Sequence, residues 1–151
     1  MGIRNSTRAA RRTVISTQDA CALRTAVEHF RKAAHIAEAA AGCFPIGDEL
    51  GEPTIPRQRV AEIVRLAIAA LDEGHDALAD SWDEKDDLHG TVFEVADVLC
   101  LVEQALDAGA AFDGQDLTSC PPRGGLRLAV RLLGRLQEDI QSRVKPVQEA
   151  A

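Results

Sequence analysis

The amino-acid sequence predicts an all-α protein, and three observations lead to this prediction. Hydrophobic residues make up 46% of the 151-residue chain, which is enough to form a buried core. Aromatic residues make up only 3%, so the core must consist mainly of Ala, Leu, Val and Ile, a composition that favours helices over a sheet. Apolar residues recur at spacings of three and four in four separate stretches. We therefore expect four antiparallel helices that pack in the manner of a four-helix bundle.

The first two predicted helices each carry a continuous apolar stripe. The first covers residues 17–41 and is followed by Gly42, a typical helix terminator. The second covers residues 56–82 and starts with Pro56, because the first position of a helix needs no N–H donor. Gly74 lies inside this second helix, where glycine costs about 1 kcal/mol relative to alanine. The predicted core positions of the two helices are Leu23, Val27, Phe30, Ala34, Ala37, Val60, Ile63, Val64, Ala67, Ala70, Leu71 and Leu78.

The third and fourth predicted helices are each preceded by a loop. The charged segment 83–89 is expected to be a loop, and the third helix then runs from Gly90 or Thr91 to Ala108. A second loop covers residues 112–125, and its Gly-Gly pair predicts a turn that opens the fourth helix and not a phosphate-binding loop. Pro146 is expected to end the fourth helix. The predicted core positions of these helices are Val95, Val98, Leu99, Val102, Leu106, Leu126, Val130, Leu133, Gln137 and Ile140.

The N-terminal segment differs in charge from the rest of the chain. Residues 1–16 contain four arginines and no acid, so their net charge is +4. Since the whole chain has a net charge of −7, the remaining residues carry −11. We expect a flexible basic arm over residues 1–16 and one helical domain over residues 17–148, with an organelle transit peptide as the alternative interpretation of the arm. The acidic total argues against broad nucleic-acid binding, and no apolar run is long enough for a membrane span.

The cysteines and histidines show no spacing typical of a metal site. The four cysteines lie far apart with no Cys-x-x-Cys pair, which favours reduced thiols in a cytoplasmic protein over a zinc site or a disulfide framework. No two of the four histidines are four residues apart. A histidine metal site is therefore not expected.

Two acidic pairs carry the candidate chemistry. Glu73 and Asp76 on the second predicted helix, and Glu94 and Asp97 on the third, are three residues apart, so each pair shares one helix face. Both pairs border an apolar stripe. In an antiparallel helix pair the four carboxylates would enter one groove, where their repulsion would need a cation to relieve it. Oxygen ligands of this kind suit Mg²⁺ or Mn²⁺, whereas the alternative interpretation places the acids on solvated helix faces.

The same residues resemble a known family. The run 72–76 (Asp-Glu-Gly-His-Asp), followed after 17 residues by Glu94-Val-Ala-Asp97, resembles the acidic signature of the all-α, MazG-type nucleoside triphosphate pyrophosphohydrolases. Residues 93–109 are similar to the third helix of that family, and the proline-rich run 45–56 is similar to the loop before its acidic helix. The resemblance covers about residues 44–114.

The resemblance implies a Mg²⁺-dependent enzyme that splits a nucleoside triphosphate into a monophosphate and pyrophosphate, working as a homodimer or tetramer. The carboxylates of the two acidic pairs would hold the metal, with Glu73 and Glu94 as the catalytic groups that help a metal-bound water attack the α-phosphorus. Arg65 and Arg131 have side chains suited to binding phosphate groups. Trp82 has a ring suited to stacking on a base, and the alternative interpretation is that it covers the end of the bundle.

Two other functions remain open on the sequence alone. One is a non-catalytic, acidic helical module that docks on a basic protein partner, which predicts salt-dependent association and indifference to Mg²⁺. The other is a structural homo-oligomer, which predicts that neither salt nor metal matters.

Overall fold

A computed structural model describes residues 17–45, 52–79, 87–108 and 122–150, and the fold is described for these ranges. They form four helices and no strand: α1 (Thr17–Ala41), α2 (Arg57–Ala79), α3 (Asp87–Ala108) and α4 (Pro122–Ala150). The all-α prediction is therefore confirmed. The basic arm predicted over residues 1–16, and Trp82, lie outside the described residues. None of the helices in the described ranges is long and apolar enough to cross a membrane.

Each helix packs against two others, because α1 and α3 both contact α2 and α4. Side-chain contacts show that α2 and α3 run antiparallel. Arg65, early in α2, contacts Glu103 late in α3, whereas His75, late in α2, contacts His89 early in α3. The buried side chains of all four helices form one hydrophobic core. The ends of α1 and α3 and the starts of α2 and α4 therefore lie at the same end of the molecule.

The predicted apolar stripes form this core. Every predicted position on α1 is buried, because a repeat near 3.6 residues keeps the stripe on one side of the helix. Ile63, Val98 and Val130 lie half-buried at the border of the core, as does Gln137. The core also includes residues that were not predicted: Leu88, Val92, Leu136 and Val144.

The predicted starts of α2 and α3 are wrong by one to four residues. α2 begins at Arg57, and the carbonyl of Pro56 accepts hydrogen bonds from the N–H groups of Arg59 and Val60. Pro56 therefore caps the helix from outside its first turn. α3 begins at Asp87, inside the predicted charged loop, because Leu88 is buried to 2% exposure and its packing outweighs the polar composition around it.

Both predicted ends of the fourth helix are also wrong. α4 begins at Pro122, so the Gly-Gly pair lies in its first turn, and proline suits this position because no N–H donor is needed there. The helix continues through Pro146 to Ala150. Proline has a helical φ, and in this position it removes one backbone hydrogen bond without reversing the direction of the chain.

Gly74 is a close-packing position between α2 and α1. A Cβ atom at this position would lie 2.5 Å from Cε1 and 2.7 Å from Cδ1 of Phe30, whose ring is fully buried. The absence of a side chain lets the ring lie directly against the backbone of α2. The residue that lowers the helix propensity of α2 therefore permits a close approach of the two helices.

Candidate functional site

The two predicted catalytic carboxylates lie on different sides of the α2–α3 pair. Glu73 is turned toward α1, where its Oε2 atom lies 3.2 Å from Nδ1 of His29. Glu94 lies about 180° around α3 from Glu103, the residue that contacts α2, at 100° per residue. Glu94 therefore faces away from α2. The structure does not bring Glu73 and Glu94 together.

All four carboxylates of the predicted metal site are exposed. Asp76 lies about 20° around α2 from Arg65, on the side that meets α3, and Asp97 lies between that side of α3 and its outer face. Within the part of the chain that the structure describes, no group of three or more His, Cys, Asp or Glu side chains is arranged to hold a metal ion. The four predicted metal ligands therefore do not share one site. Asp76 and Asp97 lie nearest to the groove between the helices.

Carboxylates from both helices surround Cys100 at this groove. Partial burial raises the pKa of the Cys100 thiol, and the negative charges of Glu103, Asp97 and Asp72 raise it further. Asp72 belongs to α2 and the other two acids belong to α3. Acidic side chains of both helices therefore raise the pKa of this thiol.

Arg65, predicted to bind phosphate, is engaged by two carboxylates of α3. Its Nε atom donates to Oε1 of Glu103 at 2.7 Å, and its Nη2 atom donates to Oδ2 of Asp107 at 2.7 Å. The hydrogen bond to Glu103, followed by that to Asp107, raises the pKa of the guanidinium. Arg65 therefore joins α2 to α3, and its donors face carboxylates of the same chain.

A pair of histidines, which the sequence did not suggest, joins the other end of α2 and α3. His75 Nε2 lies 3.2 Å from His89 Nδ1, and the two rings meet edge to face with centroids 5.2 Å apart. The ring of Phe93 packs against His75 at the same centroid distance of 5.2 Å. His89 is 4% exposed, and its Nε2 atom has no hydrogen-bond partner among the residues that the structure describes. These residues are 14 positions apart, so no helical spacing could have paired them.

Arg131, the other arginine predicted to bind substrate, lies in a separate cleft between α1 and α4. The cleft has a volume of about 780 Å³ and is lined on the α4 side by Arg123, Arg127 and Arg131. Glu38 and Gly42 line it on the α1 side. Arg131 is therefore on a different surface from the acidic pairs.

Charge is segregated between the two helices that follow each other in the chain. α3 carries five acidic residues and no Lys or Arg, whereas α4 carries six basic and three acidic residues. Acids of α3 border the groove with α2, and arginines of α4 line the cleft with α1. The two surfaces therefore differ in the sign of their electrostatic potential.

Comparison with known proteins identifies no relative. No family model matches the chain, and no significantly similar protein is found among curated sequences or solved structures. The resemblance to the MazG-type pyrophosphohydrolases therefore remains a prediction from the acidic motif.

Proposed function

We propose that this protein is an interaction module and that the outer surface of α2 and α3 docks a basic, amphipathic segment of a protein partner. This surface, the acidic face, is defined by exposed residues of both helices: Asp72, Asp76, Phe93, Glu94, Asp97 and Leu101. The observation that carries the proposal is the combination of large apolar side chains and unneutralised acids on one surface.

The apolar part of the acidic face is unusually exposed. Phe93 is 57% exposed and Leu101 54%, which places both among the three most exposed large hydrophobic residues in the described ranges. Single exposed apolar residues are normal, but these two lie two turns apart along the outer side of α3. Their burial against a partner would remove apolar area from water, which favours association.

The charge on the acidic face specifies the partner's chemistry. Phe93, Asp97 and Leu101 follow at intervals of four residues, so they form a stripe along α3 with steps of about 6 Å. An acid between two apolar side chains is complementary to a helix with the pattern Leu-x3-Arg-x3-Leu. Such a segment would pair its arginine with Asp97 and pack its leucines on the flanking side chains. We therefore assign the partner as a basic, amphipathic helix.

Binding of a designed peptide tests this proposal. The probe is a fluorescent helical peptide with the pattern Leu-x3-Arg-x3-Leu, measured by anisotropy over a range of salt concentrations. The variant with Phe93→Ser, Asp97→Asn and Leu101→Ser should bind at least about tenfold more weakly, equivalent to 1.4 kcal/mol. Increasing salt should weaken binding of the unchanged chain.

The matched control carries Leu128→Ser and Glu138→Gln, which remove an apolar and an acidic side chain from α4. This control should bind the peptide as the unchanged chain does. Equal losses in both variants, or equal binding of a peptide with Glu in place of Arg, would contradict the assignment of the acidic face.

The second candidate function is the Mg²⁺-dependent hydrolysis of nucleoside triphosphates by a MazG-like antiparallel bundle. One observation favours it: α2 and α3 run antiparallel, and both carry exposed acidic side chains at the groove between them. Asp76 and Asp97 are the residues of the predicted metal set nearest this groove. When bound there, Mg²⁺ would neutralise the acids and polarise a phosphate oxygen.

Pyrophosphate release from a panel of nucleoside triphosphates tests the second candidate. Turnover should require Mg²⁺ or Mn²⁺ and should be lost in Asp97→Asn and in Asp76→Asn. Glu138→Gln, an exposed acid on α4, is the control and should retain full activity. No release from any nucleotide, together with an unchanged melting temperature in Mg²⁺, would reject this candidate, because a ligand at 100 times its Kd stabilises a protein by about 2.7 kcal/mol.

A further inference from the structure

We infer that the cleft between α1 and α4 binds the phosphate group of a small phosphorylated molecule. The inference does not depend on the proposed function, because the cleft belongs to a different helix pair from the acidic face. Its volume of about 780 Å³ lies within the range of small-molecule pockets, roughly 300–1,000 Å³.

Three arginines converge on this cleft from successive turns of α4. Arg123, Arg127 and Arg131 are spaced by four residues, so they follow one side of the helix and all three line the cleft. Arg123 is positioned by the segment that follows α1, because its Nη1 atom donates to the carbonyl oxygen of Pro45 at 3.1 Å. The guanidinium of Arg123 is therefore held in place at the start of α4.

The other two arginines differ from those of α2. Arg57, Arg59 and Arg65 each lie within 4 Å of a carboxylate, and Arg57 and Arg65 donate hydrogen bonds to theirs. Arg127 and Arg131 form no ion pair with any carboxylate in the described ranges. A bound anion would relieve the repulsion between Arg127 and Arg131, and it would accept hydrogen bonds from both guanidinium groups.

The charge of the cleft matches a phosphate monoester. Three arginines and Glu38 give the lining a net charge of +2, and a phosphate monoester carries about −1.5 to −2 at neutral pH. The first turn of α4 also lies at the cleft, and a helix leaves the N–H groups of its first turn without an internal acceptor. Dianionic phosphate is therefore a better match than a monoanionic carboxylate or sulfonate.

The other residues that line the cleft indicate that the phosphate is attached to a small organic group. Val130 and Ala41 supply apolar surface, and Glu38 faces the arginines from α1. An extended nucleic acid would bring further phosphates toward this carboxylate and toward a chain with a net charge of −7. The cleft thus fits a small phosphomonoester whose apolar or hydroxyl-bearing part lies toward α1.

Calorimetric titration with phenyl phosphate tests the inference, with inorganic phosphate and phenyl sulfonate as comparison ligands. Phenyl phosphate should bind more tightly than either, since it combines two negative charges with an apolar ring. Arg127→Gln and Arg131→Gln should each weaken its binding at least about tenfold. Glu38→Gln should strengthen it. Both arginines are exposed, so circular dichroism should show an unchanged helix content in these variants.

Arg135→Gln is the matched control, because Arg135 lies one turn further along α4, is exposed and does not line the cleft. It should leave the affinity for phenyl phosphate unchanged. An equal loss in Arg135→Gln would show that general charge, and not the cleft, attracts the ligand. The inference would also be overturned if the unchanged chain bound no phosphate ligand, or if it bound a single-stranded oligonucleotide more tightly than phenyl phosphate.

Discussion

The ring of Phe30 lies against the backbone of Gly74, so closely that a Cβ atom at position 74 would be 2.5 Å from Cε1 of the ring. This contact fixes the distance between α1 and α2. It also lies one residue from Glu73, whose carboxylate meets His29 next to Phe30. The packing of a glycine against an aromatic ring therefore positions one of the acids that the sequence analysis placed in a metal site.

Gly74→Ala should destabilise the protein. Alanine has the higher helix propensity, by about 1 kcal/mol, but its methyl group would collide with a buried ring, and overpacking of this kind costs about 1–3 kcal/mol. Urea unfolding followed by circular dichroism measures the difference. Gly134→Ala is the control, because a Cβ atom there would meet no atom within 4 Å, and it should stabilise the protein by about 0.5–1 kcal/mol. If both substitutions stabilised the protein, the contact with Phe30 would not limit the packing.

Arg65→Gln should lower the melting temperature at low ionic strength, and the difference should shrink as salt is added. Arg65 makes hydrogen bonds to two carboxylates on another helix, and its partial exposure leaves them open to screening. Arg59→Gln should have a smaller effect, because Arg59 meets Glu62 on its own helix at 3.7 Å. A salt-independent loss in Arg65→Gln would indicate that the aliphatic stem, and not the ion pair, stabilises the α2–α3 contact.

His75→Ala should destabilise the protein by about 1–3 kcal/mol, because it removes the hydrogen-bond partner of a buried ring nitrogen of His89. His89→Leu should cost less than His75→Ala, since leucine removes a buried polar group whose Nε2 atom has no partner in the described ranges. Chemical denaturation of both variants measures the order. If His89→Leu were the more damaging substitution, the hydrogen bond between the rings would not explain the burial of His89.

Asp97→Asn should accelerate alkylation of Cys100 by iodoacetamide at neutral pH. Partial burial and the nearby charges of Glu103, Asp97 and Asp72 raise the pKa of this thiol, so removing one charge lowers the pKa and increases the thiolate fraction. The rate is measured in a chain whose other three cysteines are replaced by serine.

Glu94→Gln serves as the control for Asp97→Asn, because Glu94 lies on the side of α3 away from α2. It should leave the alkylation rate nearly unchanged. Equal acceleration by both substitutions would show that the thiol responds to the total charge of α3 and not to the acids at the groove.

The fold class and most of the core follow from the sequence by itself. A repeat of three and four residues places Leu23, Val27 and Phe30 on one side of a helix whatever that helix packs against, and all three are buried. The helix starts were less accurate, because tertiary packing of Leu88 extends α3 into a segment whose composition indicates a loop. Local propensity is worth tenths of a kcal/mol per residue, whereas the burial of one leucine is worth about 1.5–3 kcal/mol.

Only the tertiary structure decided which charged side chains meet. The sequence shows that Glu73 and Asp76 share a helix face, but the neighbour on that face depends on how α2 is rotated in the core, and this rotation directs Glu73 to His29. The partners of Arg65 are 38 and 42 residues away, beyond any helical spacing. Periodicity thus determined the four helices, because it is a property of each helix alone. The acidic face, the histidine pair and the arginine-lined cleft were decided by the packing of one helix against another.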